Sequence, residues 1–123
     1  EARILTGIPC DGPEGCKGAA EAFFQKGVQK VIITLGGRGV YYNDGESEAW
    51  LHNYDVPVVD TTGAGDAFNG GLLAGLSQGL PLKAAALYGN VVANLAVTRI
   101  GTAPAMPAAR EIAAFIQENN IPL

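Results

Sequence analysis

The sequence predicts a layered fold of mixed helix and sheet, α/β or α+β, on three observations. A helical pattern comes first, short β-branched runs come next, and three helical patterns fill the second half. That order calls for helices packed on a mixed sheet. At 123 residues the chain has the length of one domain, for which roughly 100–200 residues is usual.

The opening Glu1-Ala-Arg-Ile-Leu-Thr-Gly7 carries no start signal and reads as the end of an element already under way, so a fragment of a longer chain is expected. Asp11-Gly-Pro-Glu14 offers a helix N-terminus, with Asp11 as cap and Glu14 in the first turn. The helix from about Pro13 to Lys26 should bury Ala19, Ala22, Phe23 and Phe24, and Gly27 stops it. Val28 to Leu35 reads as a buried strand, turned by Gly36-Gly-Arg-Gly39. Val40 to Asn43 forms a second strand, Asp44-Gly45 marks a hairpin, and Glu48 to Asn53 forms a third. Tyr41, Tyr42 and Trp50 should cover a face of this sheet, while Arg38 is expected in solvent. Val56 to Val59, interrupted by Pro57, belongs at a sheet edge or in a connection.

The next helix, from about Gly65 to Gln78, carries Phe68, Leu72, Leu73 and Leu76, and Gly79 and Pro81 end it. Its small residues Gly70, Gly71, Ala74 and Gly75 imply close packing against another backbone. A helix from about Leu82 to Thr98 places Leu87, Val91 and Leu95 at helical spacing, and these join Leu72 and Leu76 in the expected core. The last helix starts near Pro107 and presents Ile112, Phe115 and Ile116.

Composition narrows the function. With 48% hydrophobic and 16% charged residues the chain is globular, and no stretch reaches the roughly 18 uninterrupted apolar residues of a membrane span. No basic segment followed by an apolar run opens it, so no secretory signal is expected. A net charge of -4, with eight Lys and Arg scattered along the chain, argues against nucleic acid as partner. Cys10 and Cys16 are too few for a disulfide scaffold or, with His52 the sole histidine, for a zinc site. Both thiols are expected free in a reducing cytoplasm. Seventeen glycines are about twice the usual roughly 7%, and they cluster at 36–39, 63–65 and 70–71. Such clusters bring backbone close to something.

The segment that carries chemistry is Val58-Val-Asp-Thr-Thr-Gly-Ala-Gly-Asp-Ala-Phe-Asn-Gly-Gly71. An extended run ends in an acid, a Gly-Ala-Gly turn comes after it, and a helix opens. Amides at a helix N-terminus have no partner in the helix, and its dipole favours negative charge there. Glycine removes side-chain bulk, so the arrangement is a cradle for an anion such as phosphate. Asp66 admits two readings: an acid complementing the helix dipole, or a base that takes a proton from a substrate hydroxyl as phosphate is transferred. A weakly basic carboxylate suffices for the second, because in a loose transition state the hydroxyl acidifies late. Other nucleotide motifs fail. Phe68 stands where a dinucleotide fingerprint needs its third glycine, and neither a Gly-Lys-Ser/Thr loop nor the protein-kinase motifs occur.

Asp60-Thr-Thr-Gly-Ala-Gly-Asp66 followed by Ala-Phe-Asn-Gly resembles the second signature of the ribokinase family, the PfkB-type carbohydrate kinases. Ile33-Thr-Leu-Gly-Gly-Arg-Gly-Val40 is similar to the family's nucleotide-loop strand, and Ala96-Val-Thr-Arg-Ile-Gly101 with Pro104 and Pro107 to its closing segment. Glu1 to Gly7 is similar to the stretch that begins at the glutamate of the family's Asn-x-x-Glu motif, with Glu1 as that glutamate. The resemblance implies a ribokinase-like, Rossmann-like α/β fold. Residues 1–123 would then be its C-terminal nucleotide-binding and catalytic part, without the N-terminal sugar-binding and lid part.

The resemblance also implies roles. Asp66 would be the catalytic base and the contact to the acceptor, and the amides of Gly63, Ala64 and Gly65 would form the anion hole. Thr34, Gly36, Gly39 and Gly65 would border ATP, with Asn90 near the adenine. Mg²⁺ would travel with the phosphates, organised indirectly by Glu1. A potassium ion would be held by Asp60, Thr62, Ala96, Arg99, Gly101 and Ala105, mostly through carbonyls. Ala105 stands where many ribokinases have Ser, which leaves a backbone oxygen for that last contact. The partners implied are ATP and a small sugar, with neither nucleic acid nor membrane, in the cytoplasm. Ribose leads as acceptor, on Ala96-Val-Thr-Arg99 and the cation site. Fructokinases share much of this ending, so fructose and other sugar or nucleoside acceptors stay open. Family dimers pair through lid strands, so a homodimer is among the arrangements allowed. A nucleotide-binding half without turnover of its own, and a pure interaction domain, are the rival readings.

Overall fold

The β-branched run Val31-Ile-Ile-Thr34 forms the first strand of a sheet, as its composition requires, but the sheet is not mixed. In the computed structural model, which describes residues 1–123, β1 (Val31–Thr34), β2 (Val40–Asn43) and β3 (Glu48–Leu51) lie in that order, antiparallel throughout. Ile33 pairs with Tyr41, and Tyr41 with Trp50. The reason is the length of the connections. Leu35–Gly39 and Asp44–Ser47 are tight turns, which join antiparallel neighbours, whereas parallel ones need a long crossover. β1 is also shorter than expected, because Val28 donates its amide to the Phe23 carbonyl and closes the preceding helix. Gly39 is indispensable to the first turn: φ is +98°, and a Cβ would lie 2.1 Å from the Leu51 carbonyl oxygen.

Residues Glu1–His52 form one compact unit and Asn53–Leu123 a second. The first contains α1 (Ala2–Thr6) and α2 (Pro13–Gln25) beside the sheet. Asp11 does not cap α2: Gly12 is the N-cap and Pro13 opens the helix, while the Asp11 carbonyl accepts Arg38 Nη1 at 2.6 Å. Arg38 is exposed, as expected, with this one hydrogen bond at its head, and its own carbonyl accepts the Trp50 indole N–H at 2.8 Å. Cys16, Ala19 and Ala20 of α2 are buried with Val31, Ile33 and Tyr41, while Phe23 and Phe24 are only partly covered. Burial pushes the Cys16 thiol up to about 11. Burial, then the hydrogen bond to Glu48, pushes the Tyr41 phenol up to about 12.

The second unit contains α3 (Ala64–Ser77), α4 (Leu82–Ala96) and α5 (Ala109–Glu118). Its helix pair α3/α4 is built on small residues, as the glycine pattern predicts. A Cβ on Gly71 would lie 2.8 Å from the Gly89 Cα, one on Gly89 would lie 2.8 Å from the Phe68 carbonyl oxygen, and one on Gly75 would lie 3.0 Å from the Ala85 Cα. Leucines standing beside this contact are pushed outward. Leu73 is 65% exposed, and Leu76, expected in the core, is 41% exposed and does not belong to it. The core is instead Ala67, Val91, Val92, Ala96, Ile112 and Ile121, flanked by Leu87, Leu95 and an edge-on Tyr54–Phe115 pair with centroids 5.4 Å apart. No helix is long and apolar enough to cross a membrane.

Candidate active site

Residues 53–62 of the second unit run without regular structure along α4 to the start of α3. Asn94, 5% exposed, accepts the Tyr54 amide at 2.8 Å and donates to Asn53 and Asn90, fixing the beginning of the run. The Val97 carbonyl accepts the amides of Val59 and Asp60 at 2.7 and 3.1 Å, fixing its end. Val56 to Val59 is thus a connection, held by helix ends rather than by a sheet.

Asp60 joins two loops. One carboxylate oxygen accepts the Thr62 amide at 2.9 Å, and the other accepts the Gly101 amide at 3.0 Å. These bonds, the one from Gly101 first, hold its carboxyl at about 2. Gly63 then caps α3 with φ +77°, and a Cβ there would lie 2.9 Å from Thr102 Cγ2. A left-handed residue at this point turns the chain into the helix without a side-chain cap, which leaves the first-turn amides to other partners.

Those amides divide. Ala64 N–H donates to the Thr61 carbonyl at 3.2 Å, so it is a member of the turn and not of an open cradle, contrary to expectation. The amides of Gly63, Gly65 and Asp66 donate to no oxygen of the chain. The Asp66 side chain is exposed in the first turn of α3, and Gly65 has open space where a Cβ would be. Sequence reasoning missed the Asp66 amide. The signal was present, since the first turn of a helix leaves its amides without helical partners and Asp66 lies in that turn.

Asn90 is a second correction. At 2% exposure, with its side-chain oxygen accepting Asn94 Nδ2 at 3.2 Å, it presents no surface for a ring to contact. The expected potassium ligands fare differently. Asp60, Thr62 and Gly101 are brought together by the Asp60 carboxylate, and the carbonyls of Asp60, Thr62, Arg99, Gly101 and Ala105 accept no hydrogen bond from the chain. The Ala96 carbonyl accepts the Arg99 amide at 3.3 Å. Uncommitted carbonyls with one carboxylate are the hard-oxygen donor set that suits a large monovalent cation. By contrast, no group of three or more His, Cys, Asp and Glu side chains gathers to hold a metal ion.

In the first unit, a cavity of about 370 Å³ has Glu1, Cys10, Asp11, Ile33 and Thr34 in its wall, so it gathers two of the residues expected near the nucleotide. Gly36 starts the turn after β1 with φ +56°, and Gly39 is buried against Leu51. One further feature went unread. Glu111, in the first turn of α5, takes the Arg99 guanidinium and accepts the Ala108 amide at 2.6 Å. The signal was present, since a glutamate three residues after a helix N-cap is half of a capping box.

The second unit of this α/β chain thus carries a helix N-terminus with open amides, an exposed acid beside them and two loops stapled by Asp60. Residues 1–109 match the profile of the pfkB family carbohydrate kinase. The chain is 33% identical over 117 residues to a ribokinase of Haemophilus influenzae, covering 95% of this chain and 38% of that protein. It is similar in structure to Arabidopsis thaliana ribokinase complexed with ribose and ATP, at 27% identity and a TM-score of 0.88, over 94% of this chain and 38% of that one. A putative ribokinase II from E. coli, in complex with ATP and Mg²⁺, matches at 35% identity and a TM-score of 0.80, over 96% of this chain and 37% of the other. The chain belongs to the pfkB family of carbohydrate kinases, and it spans a little over a third of the length of these relatives.

Proposed function

We propose that this chain is the C-terminal catalytic portion of an ATP-dependent sugar kinase, with ribose as acceptor and ribose 5-phosphate as product. The observation that carries the reading is the start of α3, where an exposed Asp66 stands beside amides that donate to nothing in the chain. In the reaction the acceptor hydroxyl gives its proton to the Asp66 carboxylate as its oxygen attacks the γ-phosphorus, and ADP leaves. The amides of Gly63, Gly65 and Asp66 take the charge of the transferring phosphoryl group, where preorganised donors are most effective. Mg²⁺, when bound with ATP, neutralises the phosphates. Thr34, Gly36 and Gly39 border the nucleotide, Glu1 helps to organise the metal's waters, and the cytoplasm is the site of action.

Potassium is part of the proposal. Held by the carboxylate of Asp60 and the carbonyls of Thr62, Arg99, Gly101 and Ala105, it would lie behind the anion cradle and add positive potential there. The test is a phosphorylation screen of the full-length protein against ribose, fructose, 2-deoxyribose and a nucleoside, reading ADP release in KCl and in NaCl. Turnover greatest with ribose and in KCl is expected; absence of turnover with every acceptor overturns the reading. The short span against its relatives favours one alternative, a nucleotide-binding part that does not turn over by itself. Calorimetry with ATP on the 123-residue chain, beside a coupled assay, separates the two.

A further inference from the structure

We infer that Glu111 is a positioning residue for the proposed potassium site, holding the 97–101 backbone against Asp60 through the Arg99 side chain. The inference rests on the potassium reading above. It starts from a physical difficulty: a site made of carbonyls has no side-chain geometry of its own, so its affinity depends on how firmly the backbone is held. The loop leaves α4 at Val97, and its carbonyls from Thr98 to Gly101 accept no hydrogen bond from the chain, those of Arg99 and Gly101 being the proposed ligands. Ile100 between them is 77% exposed and anchors nothing.

Three ties remain. The Val97 carbonyl accepts the Val59 and Asp60 amides, and the Gly101 amide donates to Asp60. Both of these fasten the loop to the Asp60 side. The third runs the other way, to α5. Both guanidinium nitrogens Nη1 and Nη2 of Arg99 meet the two carboxylate oxygens of Glu111, with Nη1 to Oε2 at 3.4 Å. Glu111 is itself immobilised, since its Oε2 accepts the Ala108 amide at 2.6 Å and its own amide donates to the Ala108 carbonyl at 2.9 Å. A two-pronged pair on a fixed carboxylate determines direction as well as distance. Arg99 is therefore held at its side chain while its carbonyl, on the same residue, belongs to the proposed cation loop.

An ordinary surface ion pair makes a different prediction, because such pairs contribute little and act on stability alone. The two side chains are 37% and 36% exposed, so their loss should hardly move the unfolding temperature. The cation affinity should move much more. The experiment uses the full-length enzyme and the variants Glu111→Gln and Glu111→Ala, with Glu118→Gln as control. Two readouts are taken at constant ionic strength as KCl replaces NaCl: the melting temperature without substrates, and turnover. In the parent, KCl raises the melting temperature over NaCl, with a defined midpoint. In Glu111→Gln, which keeps an oxygen for the Ala108 amide, that midpoint and the half-activating KCl should both rise about tenfold or more. Turnover at saturating KCl and the melting temperature in NaCl should change little. An unmoved midpoint overturns the inference, as does a fall in melting temperature that is alike in both salts. If KCl has no specific effect on the parent, the potassium reading itself fails. Should Glu111→Ala not fold, the Gln variant decides alone.

Discussion

Both carboxylate oxygens of Asp60 accept backbone amides, and this sets how the loop responds to acid. Its carboxyl titrates at about 2 in the folded protein, against roughly 3.9 in an unfolded chain. A depressed folded value contributes stability that is complete above the unfolded value and lost as pH falls through the folded one. Asp60→Asn should therefore narrow its stability gap from the parent between about pH 4 and pH 2, as followed by urea unfolding; a gap constant across that window would contradict the two hydrogen bonds. Gly63 makes a second residue-scale prediction. With φ at +77° and Thr102 at 2.9 Å from a would-be Cβ, Gly63→Ala should lower stability by about 1–2 kcal/mol, again measured in urea. At this scale the sequence was informative where chemistry is local. Asp60, Gly63 and Asp66 were readable because acid, turn and helix start are contiguous. The Arg99–Glu111 pair and the burial of Asn90 were not, since each depends on which face of a helix meets its neighbour.

Close approach of α3 and α4 shows what an element can and cannot reveal. The small-residue pattern at Gly70, Gly71, Ala74 and Gly75 announced tight packing, but not which glycines carry it. Gly71 faces Gly89, whereas Gly70 faces open space. The consequence is a contrast between neighbours. Gly89→Ala should destabilise the protein by about 1–3 kcal/mol, because the added methyl meets the backbone of Phe68. Gly70→Ala should instead stabilise it by up to about 1 kcal/mol through helix propensity. Thermal melts of both variants check the pair, and equal effects would contradict the interface. Leu76 was misjudged for the same reason. Helical spacing locates a stripe, but a backbone-to-backbone contact leaves no room for Leu76 in it. The sheet was misjudged through its connections, whose shortness excludes the crossover a parallel pair needs.

At the scale of the whole molecule, the apolar strand β1 lies at an edge of its sheet, and Ile4, Leu5, Val58 and Ile100 are exposed. An open apolar edge and exposed apolar side chains favour association. The 123-residue chain on its own should therefore gain mass with concentration in sedimentation experiments, and a concentration-independent monomer would contradict that expectation. Family membership and the layered helix-and-sheet class were legible because contiguous motifs carry them; the acceptor was legible only as a preference for ribose, resting on Ala96-Val-Thr-Arg99 and the cation site, which fructokinases largely share. The central claim is that Asp66 accepts the proton of the substrate hydroxyl while amides at the start of α3 hold the phosphoryl group. Its most direct test is the turnover of the full-length enzyme carrying Asp66→Asn, measured at saturating ATP, sugar and KCl alongside ATP affinity by calorimetry. The account predicts a loss of roughly 10²–10⁴-fold in kcat with ATP affinity preserved. A kcat equal to that of the parent would contradict it.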